Sequence, residues 1–178
     1  NDVIVLHGCC HNPTGEDLDR SQWGRVADLL EQTRATPLVD LAYQGFGDGL
    51  EEDAYAIRLL AGRVPEMFVA SSCSKNFSLY RDRVGALTTI AQSRAASATL
   101  QEHIAKAVRA NYSMPPDHGA SIVAHILNDT DLRVQWQEEL EAMRSRIASM
   151  RRLFAQELTR SMGGDFGAIA RQKGMFSL

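Results

Sequence analysis

Short apolar runs alternate with amphipathic segments through the first half of the chain. The runs have the length of single strands, whereas the segments between them repeat apolar residues every three or four positions, which is the spacing of one helix face. Strands are therefore predicted at residues 2–6, 37–42, 67–70 and 85–90, and helices at residues 20–35 and 52–62. This alternation indicates an α/β fold with a mostly parallel sheet flanked by helices, in which residues 2–6 form a buried strand.

The second half of the chain has a helical pattern. Helices are predicted at residues 93–111, 117–128 and from Asp129 to about Ser161, with Asp129-Thr130-Asp131 as the segment that caps the long third helix. Gly163 and Gly164 end that helix. Beyond them, Phe166–Ala170 and Met175–Leu178 are predicted to form a hairpin.

The composition excludes several classes of protein. The chain has 178 residues, of which 44% are hydrophobic and 23% are charged, which suits one folded core. A net charge of -3 and a pI near 6.0 argue against a nucleic-acid partner held by bulk charge. No apolar run approaches the roughly 20 residues that span a bilayer, and no signal peptide is visible, so no membrane partner is predicted.

Cysteine usage and the chain ends add two expectations. The three cysteines, Cys9, Cys10 and Cys73, are odd in number and form no CxxC motif, which argues against a disulfide framework or a structural zinc site. No metal is predicted, and a reducing cytoplasm fits this usage. Because the chain starts at Asn1 directly before one predicted strand and ends inside another, the sequence predicts an internal fragment of a longer protein.

The segment Ser71–Gly85 carries the most chemical information. It places Lys75 in a polar loop after a strand, with Ser72 and Ser74 before it and Arg83 after it. A pyridoxal-phosphate site needs an amine that condenses with the cofactor aldehyde, and hydroxyls and an arginine that hold the phosphate. On spacing alone, an ordinary charged surface loop explains the segment equally well.

Asp40 follows the second apolar run, where a carboxylate is costly to bury without a partner. A protonated pyridine nitrogen would be such a partner, and Tyr43 is placed to hydrogen-bond the hydroxyl group of the same ring. Taken alone, a strand-end aspartate more commonly caps a turn.

A third polar segment surrounds Asn12-Pro13-Thr14-Gly15, which alone indicates only a turn. His7 and His11 are four residues apart, but the proline and glycines of this loop argue against a helix that would stack them. A metal-binding histidine pair is therefore not predicted.

Together these segments resemble the class I, fold-type I aminotransferases, and most closely their aspartate and aromatic amino acid branch. The matching motifs are HNPTG at 11–15, DLAYQGF at 40–46, SxxSKNFxLYRDRVG at 71–85, RANYSMPPDHGASIV at 109–123 and GMFS at 174–177. The resemblance covers essentially the whole chain. It implies part of the large pyridoxal-phosphate-binding domain at residues 1–128, and the interdomain helix with the start of the small domain at residues 129–178.

The resemblance also implies a role for each residue around the cofactor ring. Lys75 would form the Schiff base with pyridoxal phosphate and move the proton between substrate and cofactor. Asp40 would pair with the pyridine nitrogen. Asn12 and Tyr43 would hydrogen-bond the phenolic oxygen of the ring.

Further roles follow for the phosphate and the substrate. Ser72 and Arg83 would bind the phosphate, and Asn12 would also contact the substrate. Arg109 would reach across a homodimer interface to the distal carboxylate of the substrate in the partner subunit, a task that suits its bidentate fork. Ser113 would lie near the same site.

The implied activity is ping-pong transfer of an amino group between aspartate or an aromatic amino acid and a 2-oxo acid such as 2-oxoglutarate. Met114 departs from the pattern, because close relatives often carry a small polar residue there. The parts of the family's site that cup the phosphate and bind the substrate's α-carboxylate have no match within the 178 residues. The 178 residues alone are therefore expected to be inactive, and a catalytically incompetent fragment that serves in binding or assembly is one alternative. A lyase of the same fold is a weaker one, since Arg109 argues against it.

Overall fold

One mixed sheet organises the part of the protein that the computed structural model describes, residues 2–176. Its strands are β1 (Val3–His7), β2 (Thr36–Leu41), β3 (Met67–Ser72) and β4 (Gly85–Ile90), in the order β1-β2-β3-β4. β1, β2 and β3 are parallel, and β4 runs antiparallel to β3. The predicted α/β fold with a mostly parallel sheet is confirmed.

Helices connect and follow these strands. They are α1 (Arg20–Thr33), α2 (Tyr55–Ala61), α3 (Arg94–Asn111), α4 (His118–Asn128), α5 (Thr130–Met162) and α6 (Gly167–Arg171). The long helix α5 begins as predicted, because the Asp129 carboxylate accepts the backbone N–H groups of Asp131 and Leu132. No helix in the described residues is both long and apolar enough to cross a membrane.

The predicted hairpin at Phe166–Ala170 and Met175–Leu178 is wrong over the residues that are described. The first segment is mostly helix α6, and the second forms no strand at residues 175 and 176, while residues 177 and 178 lie outside the described residues. The Asp165 carboxylate accepts the backbone N–H of Gly167 at 2.7 Å. This side-chain hydrogen bond turns the backbone directly before α6, where the apolar pattern alone suggested a strand.

The prediction that the first strand is buried is also wrong. β1 lies at the edge of the sheet and pairs only with β2. Val3 is 59% exposed and Val5 is 62% exposed. The apolar run predicts the strand itself, but it does not show whether another element covers that strand. Among residues 2–176, no element covers the outer edge of β1.

The hydrophobic core lies where the two central strands pack against α1, α2 and α5. Val39 of β2, Met67 of β3 and Leu60 of α2 are fully buried, and Leu140 brings α5 onto the same cluster. The loops that follow β2 and β3 therefore leave from the best-packed part of the molecule.

Gly45 shows how closely α5 packs on one of these loops. Its φ of +96° suits glycine, and a Cβ atom at this position would overlap the Leu140 side chain.

We expect Gly45→Ala to lower the free energy of unfolding by about 1–3 kcal/mol, measured by urea denaturation. Gly24→Ala is the matched control. Its Cβ would meet no atom within 4 Å inside α1, so a gain of about 0.5–1 kcal/mol is expected there. Equal stability of the two variants would contradict this packing.

Candidate active site

Because β1, β2 and β3 are parallel, their carboxyl ends lie on the same side of the sheet, and the loops that follow these strands meet there. In the ladder, His7 is paired with Asp40, and Asp40 is paired with Ala70. The Asp40 carbonyl accepts the backbone N–H of Gly8 at 2.8 Å, which extends the pairing into the first loop. The parallel register thus brings three distant segments of the sequence together, where α/β sheets bind ligands.

A cavity of about 310 Å³ opens between these loops. It is lined by His7, Cys9, Asn12, Asp40, Ala42, Tyr43 and Lys75. Four of these seven residues are the ones that the sequence assigned to the cofactor ring and the Schiff base. The structure therefore brings the predicted centre of the site together.

Lys75 lies against the ring of Tyr43. The Lys75 Nζ atom is 4.5 Å from the ring centroid, which is within the range of a cation–π contact. Tyr43 is buried, whereas Lys75 is half-buried and lines the cavity. A primary amine that lies against a buried aromatic ring thus lines this cavity.

The loop that carries Asn12 is held by local hydrogen bonds. The Asn12 backbone N–H donates to Nδ1 of His7 at 3.3 Å, and Asp17 accepts two backbone N–H groups of the same loop. The rings of His7 and His11 lie 4.5 Å apart, although no helix stacks them. His11 Nδ1 is hydrogen-bonded to the Thr14 hydroxyl at 2.8 Å, so this nitrogen already has a protein partner.

The predicted phosphate ligands are Ser72, the last residue of β3, and Arg83, two residues before β4, and neither lines the cavity. Ser72 is paired with Gly85, and its hydroxyl bonds the hydroxyl of Ser74 at 3.1 Å. Arg83 is exposed and donates from Nη1 to the Tyr80 carbonyl at 2.9 Å. Their phosphate-binding roles stay predictions.

Arg109 and Ser113 lie at the end of α3, and neither lines the cavity of Lys75. The Arg109 guanidinium donates to the Ser113 hydroxyl at 2.9 Å, and both side chains are exposed. Met114, which follows them, is 75% exposed. The role of Arg109 in a partner subunit also stays a prediction.

Asp53 supports the site and was missed by the sequence interpretation. Its buried carboxylate accepts the backbone N–H groups of Gly45, Gly47 and Asp48 at 2.8, 3.0 and 2.8 Å, which fixes the loop directly after Tyr43. Burial raises the pKa of Asp53, and the backbone donors act in the opposite direction. The sequence did contain a clue to this role of Asp53, because the backbone N–H groups of the glycine-rich loop after Tyr43 need a hydrogen-bond acceptor.

Cys9, Cys10 and Asp53 form the one group of three potential metal ligands in residues 2–176, with ligand atoms within 4.8 Å of one another. The hydrogen bond with Cys10, and then burial, raise the pKa of Cys9 far above its usual range, so that its thiol is protonated. The Asp53 carboxylate already holds three backbone N–H groups. This chemistry favours a packed core cluster over a metal centre.

Comparison with known proteins gives a consistent result over the whole chain. The family model for class I and II aminotransferases matches residues 1–178. The aromatic-amino-acid aminotransferase of Pseudomonas aeruginosa is 53% identical over 177 residues, which are 99% of this chain and 44% of that protein. The aspartate aminotransferase of the same organism is 48% identical over 176 residues, 98% of this chain and 44% of its length.

Solved structures agree with these relatives. An aromatic-amino-acid aminotransferase from Burkholderia pseudomallei, described as covalently bound to pyridoxal phosphate, superposes with a TM-score of 0.96 at 46% identity. The match covers 98% of this chain and 44% of that one. The chain therefore spans a little under half the length of the proteins that it matches.

Proposed function

The chain belongs to the class I and II aminotransferase family, and we propose that it forms the cofactor-binding part of an enzyme that transfers an amino group between an amino acid and a 2-oxo acid. The observation that carries this proposal is the cavity at the strand ends. There the Lys75 amine, the Asp40 carboxylate, the Tyr43 phenol and the Asn12 amide meet. A lyase would need the same amine but gains no support from a specific contact in this site.

Pyridoxal phosphate fits this set of donors. Lys75 offers the amine for covalent attachment, Asp40 offers a carboxylate for the pyridine nitrogen, and Asn12 and Tyr43 offer groups that hydrogen-bond the ring's phenolic oxygen. When bound, the cofactor supplies an electron sink that makes the α-proton of an amino acid removable. The covalently bound cofactor in the Burkholderia pseudomallei relative supports this assignment.

Lys75, Asp40 and Tyr43 would each have a separate role around that cofactor. Once the substrate amine has displaced it from the cofactor, the Lys75 amine would act as the base that takes the proton from the substrate α-carbon and passes it to the cofactor. The Asp40 carboxylate keeps the ring nitrogen protonated by pairing with it. The buried Tyr43 ring holds the amine on one side of the cavity.

Phosphate and substrate recognition complete the proposal. Ser72 and Arg83 bind the phosphate after their side chains leave their present partners, Ser74 and the Tyr80 carbonyl. Arg109 binds the distal carboxylate of a dicarboxylic substrate in the partner subunit of a homodimer. The cycle is ping-pong, with aspartate or an aromatic amino acid as donor and 2-oxoglutarate as acceptor.

Half-reactions test this function directly. The enzyme of which this chain is proposed to form the cofactor-binding part is loaded with pyridoxal phosphate, excess cofactor is removed, and aspartate or phenylalanine is added without any 2-oxo acid. We expect one equivalent of keto acid per site and loss of the visible cofactor band, followed by full recovery of the band when 2-oxoglutarate is added. Ammonia release with many turnovers would instead identify a lyase. A band that no amino acid changes would support the incompetent fragment and overturn the proposal for this chain.

A further inference from the structure

Helix α5 contacts the loop of Lys75 through one tryptophan. The Trp136 indole N–H donates to the backbone carbonyl of Asn76 at 2.7 Å. The indole also stacks on the ring of Phe77, with centroids 4.4 Å apart and planes 11° from parallel. Two residues directly after Lys75 are therefore fixed by one side chain that lies 60 positions further along the chain.

The same helix face also contacts the loop of Tyr43. Leu140, one turn after Trp136, is 2% exposed and packs where a Cβ atom of Gly45 would lie. Two consecutive turns of the 33-residue helix α5 thus contact the two loops that meet at the cavity.

Asn76 joins these loops to each other. Its side-chain N–H donates to the Gln44 carbonyl at 3.3 Å, directly after Tyr43. Asn76 is 8% exposed, and among the described residues its Oδ1 atom has no hydrogen-bond partner. Among the described residues, the hydrogen bonds with Gln44 and Trp136 therefore hold Asn76 in place. Asn76 follows Lys75 and Gln44 follows Tyr43, so both hydrogen bonds affect the distance between Lys75 and Tyr43.

We propose that Trp136 is a positioning residue that sets where the Lys75 amine lies over the Tyr43 ring. It acts through Asn76 and Phe77, the two residues that it contacts directly after Lys75. The indole supplies an N–H donor for the Asn76 carbonyl, which lies in a loop, and a flat surface on which the Phe77 ring stacks. The importance of this placement for amino transfer rests on the proposed function, whereas the placement itself does not.

Competitive acetylation of the cofactor-free protein tests the placement. A limiting amount of acetic anhydride is added at one fixed pH, and the ratio of acetylated Lys75 to acetylated Lys106 is measured by peptide mass spectrometry. Lys106 is exposed on α3 and serves as the internal reference. We expect Trp136→Phe, which keeps a ring and loses the N–H donor, to raise the ratio about two- to fivefold, because the amine is released from the Tyr43 ring.

Trp23→Phe is the matched control. Trp23 is 4% exposed in the core on α1, so the same loss of an indole occurs away from the Lys75 loop. This control is expected to leave the ratio unchanged. An unchanged ratio in folded Trp136→Phe, or an equal rise in Trp23→Phe, would overturn the proposal.

A second variant covers the case in which Trp136→Phe does not fold, as judged by circular dichroism. Phe77→Leu removes the stacked ring and leaves the indole donor, and it must raise the ratio in the same direction for the proposal to stand. In the cofactor-loaded protein, both variants should lower kcat with little change in KM and should alter the visible circular dichroism of the cofactor band. If the wild-type protein binds no cofactor, the proposed function fails, but the acetylation result still decides the role of Trp136.

Discussion

Lys75→Ala is expected to abolish covalent attachment of pyridoxal phosphate and to lower amino transfer by roughly a hundred- to ten-thousand-fold, the share that a positioned acid–base group supplies. The side chain is the one amine that lines the 310 Å³ cavity among the described residues. Alanine removes both the group that bonds the cofactor and the base that moves the proton. The visible band and steady-state turnover measure the two losses separately.

Lys106→Ala is the control for this variant. Lys106 is exposed on α3 and does not line the cavity, so band and turnover should equal those of the wild type. Retention of the band in Lys75→Ala, or its loss in Lys106→Ala, would remove Lys75 from the mechanism.

Asp40→Asn is expected to lower kcat by roughly a hundredfold or more, in line with the loss of one oriented charge from a preorganised site. The amide has the same shape but no charge, so the pyridine nitrogen is no longer held protonated and the ring withdraws electrons less well. Asp40 is half-buried at the end of β2 and lines the cavity beside Asn12. Pre-steady-state measurement of α-proton removal reports this step.

Asp28→Asn is the matched change on the surface. Asp28 pairs with Arg63 on the outside of α1, and such an exposed ion pair contributes about 0–1 kcal/mol to stability. Turnover should be unchanged. A rate for Asp40→Asn within twofold of the Asp28→Asn rate would contradict the assignment of Asp40 to the cofactor nitrogen.

Local pattern was sufficient to predict the strands, whereas the roles of the residues that line the cavity came from the resemblance of the motifs to an aminotransferase family. Predicted strands of four to six residues identified β1 to β4. Asp40 and Lys75 stand near the ends of two of these runs, but the pattern alone left a turn cap and a charged surface loop as explanations. Parallel pairing then forces the strand ends together, so these residues meet without any need to know the packing in detail. The Asp129 cap was likewise visible, because it acts on the next two backbone N–H groups.

Contacts between distant segments were beyond sequence reasoning. The exposure of β1 depends on what lies beside it, and the turn that Asp165 makes with Gly167 before α6 competes with an apolar pattern. The bond from Trp136 to Asn76 spans 60 positions, and no local period encodes it. In the sequence, Trp136 is therefore only one of the apolar residues within the predicted long helix.

Reductive trapping tests the central claim, that Lys75 holds the cofactor, most directly. The protein is incubated with pyridoxal phosphate, reduced with borohydride and digested, and the modified peptide is located by mass spectrometry. We expect the pyridoxyl label in near-stoichiometric amount on Lys75 within the segment Ser71–Gly85, and none above background on Lys106 or Lys173. A label spread over all three lysines, or found on either of the other two alone, would contradict the account.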